Sequence, residues 1–165
     1  MDFKELEQKL TYKRQNGFDK LTAEELEKAW DFAEGYKAYL DASKTQREAV
    51  CESERIALAN GFEKYQSGKK YNSGDKIYKI NRDKSIILAR FGKRDISEGV
   101  NIAAAHIDSP RLDLKPSPVY ESSDLAFFKT HYYGGIKKYQ WTTIPLSLHG
   151  VVVRADGERV EINVG

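Results

Sequence analysis

Along the first 61 residues the apolar side chains return every third or fourth position, the spacing that places them on one face of a helix. Phe3, Leu6 and Leu10 mark a short first helix that ends before Asn16-Gly17. Thr22-Ala23-Glu24-Glu25 is a capping-box pattern, in which hydroxyl and carboxylate each satisfy a free backbone amide. It predicts a second helix to about Leu40, with Leu26, Trp30, Ala33 and Tyr36 along one face. Ser43 can cap a third helix, in which Val50, Ser53 and Ala57 share a side and Gly61 is the stop. Stripes of Trp, Tyr and Leu at this spacing are core surfaces before they are cofactor boxes.

After Gly61 the period changes. Gly68 and Gly74 mark residues 62–75 as a loop, and KIYKI (76–80) alternates as a strand does. Residues 81–84 are turn-like and the apolar run 85–91 reads as the partner strand. A loop at 92–98 is followed by small and branched residues at 100–105, which predict a strand broken at Pro110. From Leu112 short extended pieces alternate with turns, through Val119-Tyr120 and 125–133 to Gly134-Gly135. Residues 144–154 and 159–164 flank Asp156-Gly157, a hairpin signal. Helices first and strands afterwards predict an α/β or α+β layer, with 1–61 helical and 62–165 strand-rich. A parallel sheet requires crossover helices over its faces, and residues 62–165 offer no strong helical pattern. We therefore expect an N-terminal portion of a longer polypeptide, a deliberately small domain being the alternative.

The strand at 100–105 delivers His106 and Asp108 two positions apart, where they point to the same side. The Asp108 carboxylate can then reach one imidazole nitrogen while the other faces a metal or substrate. A carboxylate behind an imidazole fixes its tautomer and raises its basicity, which metal-ligand histidines need. The competing reading makes His106 a hydrogen-bonded residue at a strand end and Asp108 a cap on the turn before Ser109-Pro110, and the spacing leaves both open. His131, in an alternating run, reads as a surface or stacked strand residue before a substrate-channel one, and His149, before Gly150, carries no assigned role.

Composition narrows the class. The 165 residues, 40% hydrophobic and 32% charged, fit one domain able to bury a sizeable core. No apolar run approaches the ~20 residues of a membrane span, and MDFKELEQKL is too charged for a signal peptide, so a cytoplasmic location is the default. The single cysteine, Cys51, excludes an internal disulfide and a cysteine-cluster metal site, and its helical context predicts a small buried or half-buried side chain. The net charge of +2 is unevenly spread: residues 1–61 carry −3, 62–94 carry +7 and 95–165 carry −2. With Tyr65, Tyr71 and Tyr78 interleaved, the basic island admits a nucleic-acid-binding domain, but a solvated loop and the outer face of a hairpin explain it more simply. Gly68-Lys69-Lys70 lacks the spacing of a phosphate loop.

Several strings together resemble the M18 metallo-aminopeptidases, the aspartyl aminopeptidase and aminopeptidase I family of co-catalytic zinc exopeptidases. They are YLDASKTQREAVCESERIALANGF, KIYKINRDKSIILARFG, AAAHIDSPRLDLKP, and YYGGIKKYQW followed by PLSLHGVVV. The AAHxDSPxLxxKP pattern is the most specific of them. The resemblance implies an α/β fold with N-terminal helices packed on part of a mixed β-sheet of a zinc-exopeptidase-like catalytic domain, truncated where a second domain is inserted after PLSLHGVVV. It implies that His106 is the first protein ligand of a two-metal zinc centre and Asp108 its orienting carboxylate. It also implies a peptide substrate and a homo-oligomer, with no membrane or nucleic-acid partner.

The general base and the remaining ligands of the family lie C-terminal to this motif, and no carboxylate between Asp113 and Glu161 matches a family ligand motif. One histidine cannot hold a catalytic zinc ion, where three protein ligands are typical, so the 165-residue chain by itself is expected to be inactive. Trp141 is kept, but Thr143-Ile144-Pro145-Leu146 replaces the string that accompanies acidic specificity, so a broader aminopeptidase fits equally well. A stand-alone, non-catalytic scaffold or interaction domain is the rival from another class.

Overall fold

A computed structural model describes residues 2–12 and 14–165. The chain divides into two units, Met1–Ala38 and Tyr39–Gly165.

In the first unit, α1 (Phe3–Leu10) stops where the Thr11 amide bonds the Glu7 carbonyl at 2.9 Å, and a 3-10 turn covers Phe18–Lys20. The expected capping box opens α2 (Ala23–Asp41): the Thr22 amide donates to Glu25 Oε2 at 2.8 Å, and the Glu25 amide to Thr22 Oγ1 at 3.2 Å. The stripe on α2 is not the core surface that its spacing predicts. Trp30 is 60% and Tyr36 55% exposed, and no residue of α1 or α2 is buried. Leu26 and Ala33 on the same stripe are half-buried, so it is partly covered and not enclosed as a core surface is.

The second unit is built on α3 (Gln46–Ala59). Its cap is Thr45 rather than the expected Ser43. The Thr45 hydroxyl accepts from the Glu48 amide at 3.3 Å and the Glu48 carboxylate from the Thr45 amide at 2.8 Å. Ser43 itself is buried, and the charged Glu48 makes a stronger reciprocal acceptor than the amide three places after Ser43. Gly61 ends the helix as expected. In left-handed backbone (φ 78°) it lets its own amide reach Leu58 and the Phe62 amide reach Ala57, both at 3.0 Å, the paired closure of a Schellman turn.

A three-stranded mixed sheet follows: β1 (Glu63–Lys64) parallel to β2 (Lys76–Asn81), and β2 antiparallel to β3 (Ser85–Arg90). The first of these strands lies inside a stretch expected to be loop. Helix α3 packs on β2 and β3, and the buried apolar residues Ala49, Val50, Ala57 and Tyr78 lie at that junction. Val50 and Ala57 are thus the core face that the sequence marks, with Ser53 between them accepting or donating a 3.2 Å hydrogen bond with Tyr39. Cys51, one position round the helix from Val50, is exposed, not buried or half-buried. Within the β2–β3 turn, Asp83 holds Arg47 of α3 at 3.5 Å and Arg159 at 2.9 Å.

The remaining strands form two separate hairpins, β4 (Arg111–Ser122) with β5 (Leu125–Tyr133), and β6 (Leu148–Val153) with β7 (Arg159–Val164). A short helix, α4 (Lys138–Trp141), lies between them. The β4–β5 turn is Ser123-Asp124, both at positive φ, the type I′ geometry that matches strand twist. The two prolines of Lys115-Pro116-Ser117-Pro118 fall in a bulge between Leu114 and Val119, where no ladder amide is required. The β6–β7 hairpin turns at Asp156-Gly157 as the sequence predicts, with the Gly157 amide on Arg154 at 3.0 Å.

Two expectations are corrected. Residues 100–105 are irregular rather than a strand, because no neighbouring chain among the described residues offers them a hydrogen-bond ladder, and Ile102 is 81% exposed. The buried core is small rather than sizeable, because both hairpins are single layers. Among the described residues no helix is long and apolar enough to cross a membrane.

Val50 is the largest side chain fully enclosed in this core. Val50→Ala is expected to cost about 2 kcal/mol by leaving a cavity against β2 and β3. A urea unfolding series checks this, as a lower midpoint at unchanged slope.

Candidate functional site

The segment entering β4 carries the histidine. His106 Nδ1 lies 2.9 Å from Asp108 Oδ1 and 3.0 Å from the Asp108 carbonyl oxygen. The two-residue spacing thus brings imidazole and carboxylate together as expected, although the backbone there is not a paired strand. The second carboxylate oxygen, Oδ2, accepts the Tyr133 hydroxyl. That hydrogen bond holds the Asp108 carboxyl below the usual carboxylate range, with further contributions from its own amide and from His106. Tyr133 is pushed up in turn by the same carboxylate.

These contacts determine the tautomer. An ionised carboxylate and a carbonyl can only accept, so both oxygens beside Nδ1 require a hydrogen on it. In the neutral ring Nε2 then carries the lone pair, and the side chain that presents it is 84% exposed. That is the form in which imidazole binds a metal ion. The ligand type therefore fits zinc, but among the described residues no three His, Cys, Asp or Glu side chains converge as a metal site.

Tyr133 is the residue that sequence reasoning missed. It lies 25 positions from Asp108 and is brought close because Arg111↔Tyr133 is the first rung of the β4–β5 ladder, immediately after Pro110. The Arg111 guanidinium covers the Tyr133 ring, 4.1 Å from its centre, and is itself held by Asp113 at 2.7 Å and the Ser109 carbonyl at 3.3 Å. The next residue, Gly134, has φ 74°, the left-handed backbone that favours glycine at this turn. The signal available in the sequence was the Tyr-Gly-Gly end of an alternating run, whose register could not be read without the turn at Ser123-Asp124.

The other histidines lie elsewhere. His131 is exposed and stacked on Tyr132, ring centres 5.6 Å apart, as a surface strand residue should be. His149 does have a partner: Nδ1 is 2.7 Å from Glu48 Oε1, and Nε2 is 2.9 Å from Ser147 Oγ, so β6 is tied to the capped end of α3. Desolvation raises the Glu48 pKa, but the hydrogen bonds from His149 and Thr45 outweigh it, and the net shift is downward. In the basic island, Lys69, Lys76 and Lys79 lie over the rings of Tyr71, Phe62 and Tyr65 at 5.3, 5.6 and 5.6 Å, and Lys69 also pairs with Glu63 at 2.5 Å. These cations engage neighbouring side chains, as the outer face of a hairpin does.

Comparison with known proteins adds a lineage. A family model described as aminopeptidase I zinc metalloprotease (M18) matches residues 39–165. The chain is 46% identical over 153 residues to a probable M18 family aminopeptidase 1 of Borrelia garinii subsp. bavariensis, covering 93% of this chain and 33% of that one. It is 44% identical over 154 residues to its counterpart in Clostridium acetobutylicum, covering 91% and 33%. The crystal structure of aminopeptidase I from Borrelia burgdorferi B31 superposes with a TM-score of 0.85 at 46% identity, over 92% of this chain and 37% of that one. The chain thus spans about a third of the length of the curated relatives that it matches.

The Glu48 shift has a pH consequence. Because its folded pKa lies below its unfolded one, its stabilisation is complete above the unfolded value and is lost as the pH falls through the folded one. Glu48→Gln keeps a capping-box side chain but removes the charge facing His149. Its stability deficit should be on the order of 1 kcal/mol at pH 7, after allowing for partial exposure, and should close as the pH falls through the lowered Glu48 value. Thermal melts of both proteins between pH 3 and 7 measure it.

Proposed function

Since this chain belongs to the M18 family of aminopeptidase I zinc metalloproteases, we propose that it is the N-terminal portion of a metallo-aminopeptidase that removes N-terminal residues from peptides, and that His106 is a ligand in its two-metal zinc centre. The observation that carries the reading is the paired Asp108 carboxylate, which requires the hydrogen on Nδ1 and directs the Nε2 lone pair outward. Zinc held at such a centre polarises the scissile carbonyl and lowers the pKa of bound water. The work of this chain is to present the imidazole in one tautomer and one orientation, with Asp108 as the orienting carboxylate.

Residues 1–61 then serve as a helical layer and 62–165 as a strand-rich part ending where a second domain is inserted. By itself the chain is inactive, since one imidazole cannot anchor a catalytic ion. The rival reading, a non-catalytic scaffold, shares that inactivity and differs in assigning His106 no metal. Partners of the enzyme are its peptide substrate and further copies of the chain, in the cytoplasm, with no membrane or nucleic acid. The single-layer hairpins, whose outer edges carry unpaired backbone groups, support assembly with other chain segments.

In the enzyme that carries this chain, His106→Ala should lower kcat/KM on an aminoacyl-p-nitroanilide by at least about a hundredfold and reduce bound zinc. The purified 165-residue chain should release no product with zinc added. Turnover by that chain, or full activity and zinc content in the alanine variant, would overturn the assignment.

A further inference from the structure

The hold on Asp108 comes from outside its own segment. Residues 100–110 have no ladder, so the backbone does not fix the carboxylate as it would in a sheet. A carboxylate rotates readily about its last bond, and its two oxygens are equivalent unless something distinguishes them. Here Oδ1 faces His106 and Oδ2 takes the hydroxyl from β5. Two side-chain hydrogen bonds join this segment to the β4–β5 ladder among the described residues, Tyr133 to Asp108 and Arg111 to the Ser109 carbonyl. The two donors are ladder partners, and one lies on the face of the other.

We propose that Tyr133 is a positioning residue for the metal ligand: its hydroxyl pins one oxygen of Asp108, turns the other onto His106 Nδ1, and so holds Nε2 outward as the coordinating atom. Arg111 supports it by seating the ring. The hairpin thereby supplies the rigidity that the irregular segment lacks. Only the consequence for zinc rests on the reading of His106 as a ligand. The orientation of the imidazole is a property of this chain.

The test uses the full chain labelled with 15N in histidine, at mildly alkaline pH where ordinary imidazoles are neutral. Long-range 1H–15N spectra read the tautomer of His106 directly, and a merely structural role for Tyr133 would not move it. The wild type and Tyr132→Phe, altered at the adjacent position on the opposite face of β5, should show the Nδ1–H form. Tyr133→Phe should raise the Nε2–H fraction severalfold with a native amide spectrum, and Arg111→Gln should shift it in the same direction by less. Zinc ion added to the wild type should perturb His106 at Nε2. The apparent affinity should fall roughly threefold to tenfold in Tyr133→Phe, short of the roughly 10–100-fold typical of losing the orienting group itself. Wild-type tautomer populations in both Tyr133→Phe and Arg111→Gln, or no Nδ1–H preference in the wild type, would overturn the proposal. If the tautomer responds as expected but zinc moves no His106 resonance, the positioning role stands and the metal assignment fails.

Discussion

The Asp108 carboxylate is where an unsupported segment meets a supported one, and the site depends on its two oxygens being used differently. One accepts from an imidazole two residues away and the other from a tyrosine 25 residues on. An acceptor that cannot donate leaves the histidine one arrangement for its hydrogen. Hairpin closure, a backbone event, thus becomes a statement about which nitrogen is free. The positive-φ turn at Ser123-Asp124 and the proline-bearing bulge serve the same end, since together they set the register that places Tyr133 opposite Arg111.

The Glu48 carboxylate plays a comparable double part in the structural half of the unit. It closes the cap of α3 on Thr45 and receives His149 from β6. Asp83 does likewise with Arg47 and Arg159. With so few residues fully buried, these carboxylates, rather than shared apolar surface, connect the last hairpin to the helix. Each pair is partly exposed and individually modest, so the connection is electrostatic and sensitive to pH and salt.

Much of this was legible in the sequence wherever the determinant was local. The Thr22 box, the Gly61 stop, the β2–β3 pair, the 125–133 strand and the Asp-Gly hairpin all follow from spacing or turn chemistry. The failures share a different cause. Residues 100–105 have the composition of a strand, yet pairing depends on a neighbour and not on composition. Trp30 and Tyr36 mark a stripe that is left more than half exposed at those two positions, because enclosure depends on a facing surface and not on spacing. His106 and Asp108 were readable because two residues on one side of an extended chain meet regardless of fold. Tyr133 and the His149–Glu48 contact were not, because both depend on elements that meet only through the tertiary arrangement.

That long-range contact also orders the assembly of the chain. Helix α3 and the β2–β3 hairpin are neighbours in sequence and close quickly, whereas His149 and Arg159 must return across 101 and 76 residues to reach Glu48 and Asp83. The entropy of closing such loops is recovered only once those polar pairs form, so β6–β7 docks late. An element that docks late through two partly exposed polar pairs also detaches first, and does so without melting the helix beneath it. The β6–β7 hairpin is therefore a separable flap on the folding landscape, able to open while α3 and its sheet stay native.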